Sequence, residues 1–223
     1  NLALAEAKGL DVMTTCATSH AIMCNTALDM QRDPVYASTV NNLVARTSKV
    51  EYGGESQSWH LVHYLVEEIG LDKVRDAVKN PLKMNIAAYY GPDMQREGAC
   101  AGDDPFMPTY MEQLIEALGG TPIDYESKCN SVGSTSMLTL EDSSLAMTAA
   151  VLSDAIQSGA DLIVSACTIS HINLDSYQSK AGRVAGKNTI VPVCHLSELV
   201  AFALGFYPDR LAQLRTRVRL IGS

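Results

Sequence analysis

An internal repeat limits the fold of this chain more than any other feature. Gly9-x-Asp11, a short apolar run and Cys16-x-x-Ser19-His20 are matched by Gly159-x-Asp161, an apolar run one residue longer, and Cys167-x-x-Ser170-His171. A second block follows in the same order. Trp59-His60-Leu61 opens a stretch that reaches Gly70, and Cys194-His195-Leu196 opens one that reaches Gly205, ten residues after the histidine in both cases. Two matched blocks in one order predict a duplicated unit whose halves pack about a pseudo-twofold. The units run over residues 1–82 and 83–223. The second copy extends from about Lys83 to Gly205, and the first enters at the equivalent of about Leu145–Asp154. By that comparison roughly 65 residues of the first copy are expected upstream of Asn1.

Apolar runs at Met84–Tyr89 and Asp161–Ala166, bounded by turn signals, read as buried strands. Thr189–Val193 reads as an edge or strand end because of Pro192, and Leu10–Thr14 is the weaker counterpart in the first copy. Met111, Leu114, Ile115 and Leu118 fall at helical spacing. Thr109 with Glu112 has the form of a capping box, and Gly119-Gly120 ends that helix. Leu145, Ala149, Leu152 and Ile156 form a second stripe; Leu196, Leu199, Val200 and Ala203 a third; Trp59, Val62, Val66 and Ile69 a fourth. Helices alternating with buried strands predict an α/β fold of short parallel sheets flanked by helices.

Charge and cysteine usage bound the function. Seventeen Lys plus Arg stand against 25 Asp plus Glu, a net charge of −8. Scattered acidic charge lacks the basic footprint of a nucleic-acid binder. Apolar runs such as Leu199–Phe206 are too short to cross a bilayer. Six widely and irregularly spaced cysteines in a chain of this size predict a reducing, cytoplasmic setting. Each Cys-x-x-Ser-His falls where a strand ends and a helix begins, the end of an α/β sheet at which ligands bind. A thiol there is also more readily ionised. Cys16 and Cys167 therefore read as metal ligands, with His20 and His171 on the same helical faces, or as small buried residues. The polar loop Lys128–Ser134, bearing Cys129, and the strand end Tyr89–Asp93 are two further strand-end segments expected to converge with Cys167 on one pocket.

These motifs resemble the B subunit of heterodisulfide reductases and its relatives, proteins with two Cys-Cys-Gly motifs. Asn1–Glu6 is similar to the family's helix before its first Cys-x-x-Cys. Asp103-Asp104-Pro105-Phe106-Met107-Pro108 resembles its Asp-Asp-Pro-x-x-Pro segment, with Leu114–Gly119 continuing into its next helix. Cys167-x-x-Ser170-x-x-Asn173-Leu174-Asp175 is similar to its Cys-x-x-Cys-x-x-Asn-Leu-Asp. In that family five cysteines in each half hold a non-cubane [4Fe–4S] cluster at which a disulfide is cleaved. Here the matching positions of the second half are Pro92, Cys129, Asn130, Cys167 and Ser170, with Asp93 where the family has a histidine. In the first half they are Cys16 and Ser19, the others falling before Asn1.

The resemblance implies cofactor contacts at Cys16, Ser19, Cys129, Asn130, Cys167 and Ser170, with Cys16, Cys129 and Cys167 as the metal ligands. A cluster in the first half would need ligands from upstream residues. Two thiolates cannot replace five, so a full cluster in the second half is not expected. The function implied is an electron-transfer or thiol–disulfide redox subunit working beside a ferredoxin-like iron–sulfur subunit and a flavoprotein subunit, with peripheral membrane contact through partners. Three other readings stand beside it: a non-catalytic scaffold paralogue, the hydrophobic partner of an unusual succinate dehydrogenase, and a metal-free thiol protein with a Cys129–Cys167 disulfide. Cys24, Cys100 and Cys194 match no family ligand and read as structural.

Overall fold

The apolar runs become the central strands of a parallel sheet. A computed structural model of the chain describes residues 1–206, and the end of the second unit, 207–223, lies outside the described residues. Strands β3 (Asn85–Tyr89), β4 (Thr121–Ile123), β5 (Leu162–Ser165) and β6 (Val193–His195) lie in the order β4-β3-β5-β6, every pair parallel. β3 and β5 fall inside their apolar runs, and no apolar run announced β4. The run Thr189–Val193 is displaced: Pro192, which has no N–H to pair, stays outside, and β6 starts at Val193 as an edge strand.

Side chains alternate across this sheet with the strand period. Ile86, Ala88, Leu162 and Val164 face one core with Met111, Leu114, Ile115, Leu196 and Leu199. Ala87, Tyr89, Ile163 and Val193 face the other with Val151, Leu152, Ala155 and Leu174. The first core is walled by α6 (Tyr110–Ala117) and α10 (Leu196–Ala203), the second by α7 (Glu141–Gln157) and α8 (Thr168–Ser176); α9 (Gln178–Ala185) packs on α7.

The first half repeats the later part of this order. Strands β1 (Val12–Thr14) and β2 (Ser58–His60) pair in parallel, joined by α2 (Ala17–Arg32) and α3 (Pro34–Ser48). After β2 the chain runs helically through Leu61–His63, a π-helical stretch Tyr64–Gly70, and Leu71–Ala77. Asp33 ends α2 and starts α3: its carboxylate accepts from the backbone N–H groups of Val35 and Tyr36, with Pro34 in the first turn. The apolar core runs across the boundary, since Cys16, Ala17, Val62 and Val74 pack in the same cluster as Ile86, Leu114 and Leu196.

Thr109 and Glu112 do not form the expected capping box. Asp103 supplies the cap instead, accepting from the backbone N–H groups of Thr109 and Tyr110 at 2.9 and 3.1 Å. Glu112 is drawn to Lys128 Nζ at 2.8 Å and accepts from the Tyr90 hydroxyl. A half-buried ammonium recruits the carboxylate more strongly than a neutral backbone amide does.

One glycine fixes the loop that carries Cys129 and Asn130. Gly133 has φ +73, and a Cβ there would lie 2.8 Å from the Ser144 Cα on α7. Gly133→Ala should therefore destabilise the chain by about 2–4 kcal/mol, from left-handed backbone strain and overpacking together. Urea denaturation checks this, and a cost under about half a kcal/mol would refute it.

Candidate functional site

The repeated cysteines occupy equivalent corners. Cys16 caps α2 directly after β1, and Cys167 caps α8 directly after β5. Each corner is held by the hydroxyl two residues earlier. Thr14 Oγ1 accepts from the Cys16 N–H at 3.1 Å, and Ser165 Oγ from the Cys167 N–H at 3.3 Å. His60 and His195 are likewise equivalent: each ends a strand, pairs in register with Thr14 or Ser165, and caps the helix that follows. His20 and His171 complete the match, with ring centroids 5.8 Å from His60 and 5.7 Å from His195.

The two corners meet. The Ala17 N–H donates to the Ala166 carbonyl at 3.1 Å, so the peptide leaving Cys16 bonds the peptide entering Cys167. His60 Nε2 reaches the same carbonyl at 2.9 Å. A carbonyl only accepts, so Nε2 carries the proton, and Nδ1 is left to accept from the Val62 N–H. The match is not complete: His195 lies near the Thr15 backbone, but its Nε2 makes no hydrogen bond of the kind His60 makes.

Both thiols are turned to the opposite half. Cys167 Sγ lies 3.3 Å from Thr18 Oγ1 in the first turn of α2. That hydroxyl donates to Asp93 Oδ2 at 2.6 Å, so its hydrogen is committed and the Cys167 S–H is the donor to the Thr18 oxygen. The Cys16 thiol is bonded by Thr168 in the first turn of α8 and by Ser19 of its own helix. Burial alone would raise the Cys16 pKa, but these hydrogen bonds outweigh it and bring it down to about 7.

The strand-end loops of the second half do converge. The backbone N–H groups of Tyr90 and Gly91 donate to the Lys128 carbonyl, and Asn173 Nδ2 donates to the Val132 carbonyl at 2.9 Å, tying that loop to α8. The space they enclose holds the Tyr89 side chain, which is fully buried. Its hydroxyl donates to the Asn130 carbonyl at 2.9 Å and is hydrogen-bonded by Ser170, with Cys167 close by. Its ring lies against Gly91, where a Cβ would come within 3.2 Å of it. Cys129, the remaining thiol, is half-buried and pairs with Gln95; burial raises its pKa, partly offset by Lys128.

Ser19 stands beside the Cys16 thiol, but His20 does not share a site with Cys16. It bonds Ser58 Oγ at 2.9 Å and meets the His60 and His63 rings at interplanar angles of 61° and 60°. All three rings are buried and held neutral. Burial drives their pKa values down, to about 4 for His20 and about 3 for His60 and His63. Among the described residues, no three His, Cys, Asp or Glu side chains are placed to hold one metal ion. Cys194 is buried with its pKa pushed far up by desolvation, and Cys24 is raised to about 11, again mainly by burial, as structural thiols are.

Sequence reasoning missed Thr18, Tyr89 and the histidine trio. Thr18 has no motif of its own, and only its place two residues after Cys16 could have flagged it. Among the described residues, no helix is long and apolar enough to cross a membrane.

No family model matches the chain. It is 28% identical over 214 residues to the B subunit of the ferredoxin:CoB-CoM heterodisulfide reductase of Methanosarcina mazei, covering 95% of this chain and 71% of that protein. It is 31% identical over 207 residues to the membrane anchor of the 8-methylmenaquinol:fumarate reductase of Wolinella succinogenes, covering 92% and 71%. A protein of Archaeoglobus profundus, named as like the heterodisulfide reductase B subunit, is 28% identical over 225 residues, with coverage of 95% and 73%. The crystal structure of a hypothetical protein from Helicobacter pylori superposes with a TM-score of 0.71 at 14% identity. That match covers 94% of this chain but 38% of the neighbour, and it speaks for the fold alone. Matched along nearly its whole length by these relatives, one of them above 30% identity, the chain belongs to the family of the heterodisulfide reductase B subunit and its relatives.

Proposed function

We propose that the chain is an electron-transfer and thiol–disulfide redox subunit of a heterodisulfide reductase-like complex, working beside a ferredoxin-like iron–sulfur subunit and a flavoprotein subunit. The observation that carries this reading is the pair of cysteine-capped helix starts, Cys16 and Cys167, brought together at the boundary between the halves. Relatives named as subunits of two redox enzymes support it.

In this reading the second half holds no iron–sulfur cluster. Cys129 and Cys167 are its two thiols, Asn130 and Ser170 offer neutral oxygens, and the buried Tyr89 hydroxyl lies against Asn130, Ser170 and Cys167. That depleted ligand set favours, as a second reading, a paralogue kept as a scaffold.

Affinity purification of the chain from its native host tests the proposal. Ferredoxin-like and flavin-bearing subunits should co-elute in stoichiometric amount, with flavin absorbance in the same peak. A chain that elutes free of redox partners would overturn it. Co-elution with partners while both boundary cysteines stay inert to oxidants would select the scaffold reading.

A further inference from the structure

We infer that Cys16 and Cys167 form a redox dithiol across the boundary between the two halves, closed to a disulfide by a small-molecule or protein disulfide. The inference rests on the redox reading above and gives it a site. The Ala17 N–H to Ala166 O bond joins the peptides that flank the two cysteines on their facing sides. By ordinary backbone dimensions it holds their Cα atoms roughly 4–7 Å apart. That range covers the span of roughly 4.4–6.8 Å that a disulfide bridges.

The side chains point the same way. Cys167 Sγ contacts Thr18 on α2, and the Cys16 thiol contacts Thr168 on α8. Each sulfur therefore lies between the first turns of both helices rather than behind its own. The Cys129–Cys167 pairing considered from sequence has no comparable support, since Cys129 turns to Gln95 and Lys128.

The exchange needs only the two thiols and the incoming disulfide. The Cys16 sulfur attacks one sulfur of that disulfide, the S–S bond breaks, and the first thiolate leaves with a mixed disulfide on Cys16. The Cys167 sulfur then attacks the Cys16 sulfur, forming the Cys16–Cys167 bond and releasing the second thiolate. The two protons lost by the protein end on the two released thiols. The protein is oxidised by two electrons and the incoming disulfide is reduced by two. Thr18, bonded to Asp93 on one side and to the Cys167 sulfur on the other, holds that sulfur at the start of α2, toward Cys16. Asp93 also pairs with Arg96 at 3.0 Å, and its carboxylate is partly open to solvent.

Full chain titrated with oxidised glutathione, alkylated and digested for mass spectrometry reads this out. Of the six thiols, two should be lost together, with a Cys16–Cys167 cross-linked peptide as the main product. In Cys167→Ser, Cys16 should stop at the glutathione mixed disulfide. Thr18→Val should slow the cross-link several-fold while the Cys16 mixed disulfide still forms at the original rate. A Cys129–Cys167 cross-link, or both boundary cysteines still free in a large excess of oxidised glutathione, would overturn the inference. The wild-type titration needs no variant to fold. It is independent of the co-purification result, so the two proposals can fail separately.

Discussion

Lowering the pH from 7 to 5 should remove about 5 kcal/mol of stability, nearly 2 kcal/mol for each of three buried histidines. Folded His20 has a pKa of about 4, and folded His60 and His63 about 3, because burial disfavours the imidazolium; the neighbouring rings add to this for His60 and His63. The unfolded rings titrate at about 6.5. Between those values the unfolded chain binds more protons than the folded one. The penalty is absent above about pH 7 and grows steadily as the pH falls toward 4. All three rings are at most 3% exposed, so solvent screening does little to relieve it. Urea denaturation at pH 7, 6 and 5 should show midpoints that drop at every step. A flat profile would mean that the rings take up protons without unfolding. His20→Gln should remove about one third of the slope, since it deletes one of the three titrating groups.

Tyr89→Ala should cost about 3–5 kcal/mol, the range for removing a fully buried aromatic side chain from a packed site. The ring fills the space between the Asn130 loop, Gly91 and the start of α8, and none of those backbones is free to collapse inward. Tyr89→Phe isolates the hydroxyl. It keeps the ring but takes a donor from the buried side of the Asn130 loop, and should cost about 1–2 kcal/mol. Thermal or chemical melts of the two variants distinguish a ring that fills space from one that merely anchors a loop. Equal losses would show that the hydrogen bonds, not the volume, hold the second half closed.

Much of this fold can be read from the sequence because its signals are local. The apolar stripes at 111–118, 145–156 and 196–203 each follow one helix and its cap. The repeated histidine marks two equivalent helix starts at Leu61 and Leu196, although the first continues as a π-helix to Gly70 where the second stays α-helical. The corners at Cys16 and Cys167 are legible for the same reason: strand, hydroxyl, cysteine and helix follow one another directly. What the sequence hides is contact between distant segments. Thr18 meets Asp93 across 75 positions and Cys167 across 149, and no spacing rule connects them. His20, His60 and His63 look like two repeat markers and a helix residue until the packing of α2 on β2 brings their rings together. The Thr109–Glu112 pattern failed because Glu112 has a stronger partner in the half-buried Lys128, sixteen residues away.

The Ala166 carbonyl, which accepts from both Ala17 and His60, has an evolutionary consequence. A duplication usually leaves two copies free to diverge, be separated, or be recombined with other genes. Here the turn that leads into Cys167 is finished by Ala17 and His60 of the first half, so the second half is not a separable module. A substitution at Thr18 in the first half thus bears on the Cys167 thiol in the second.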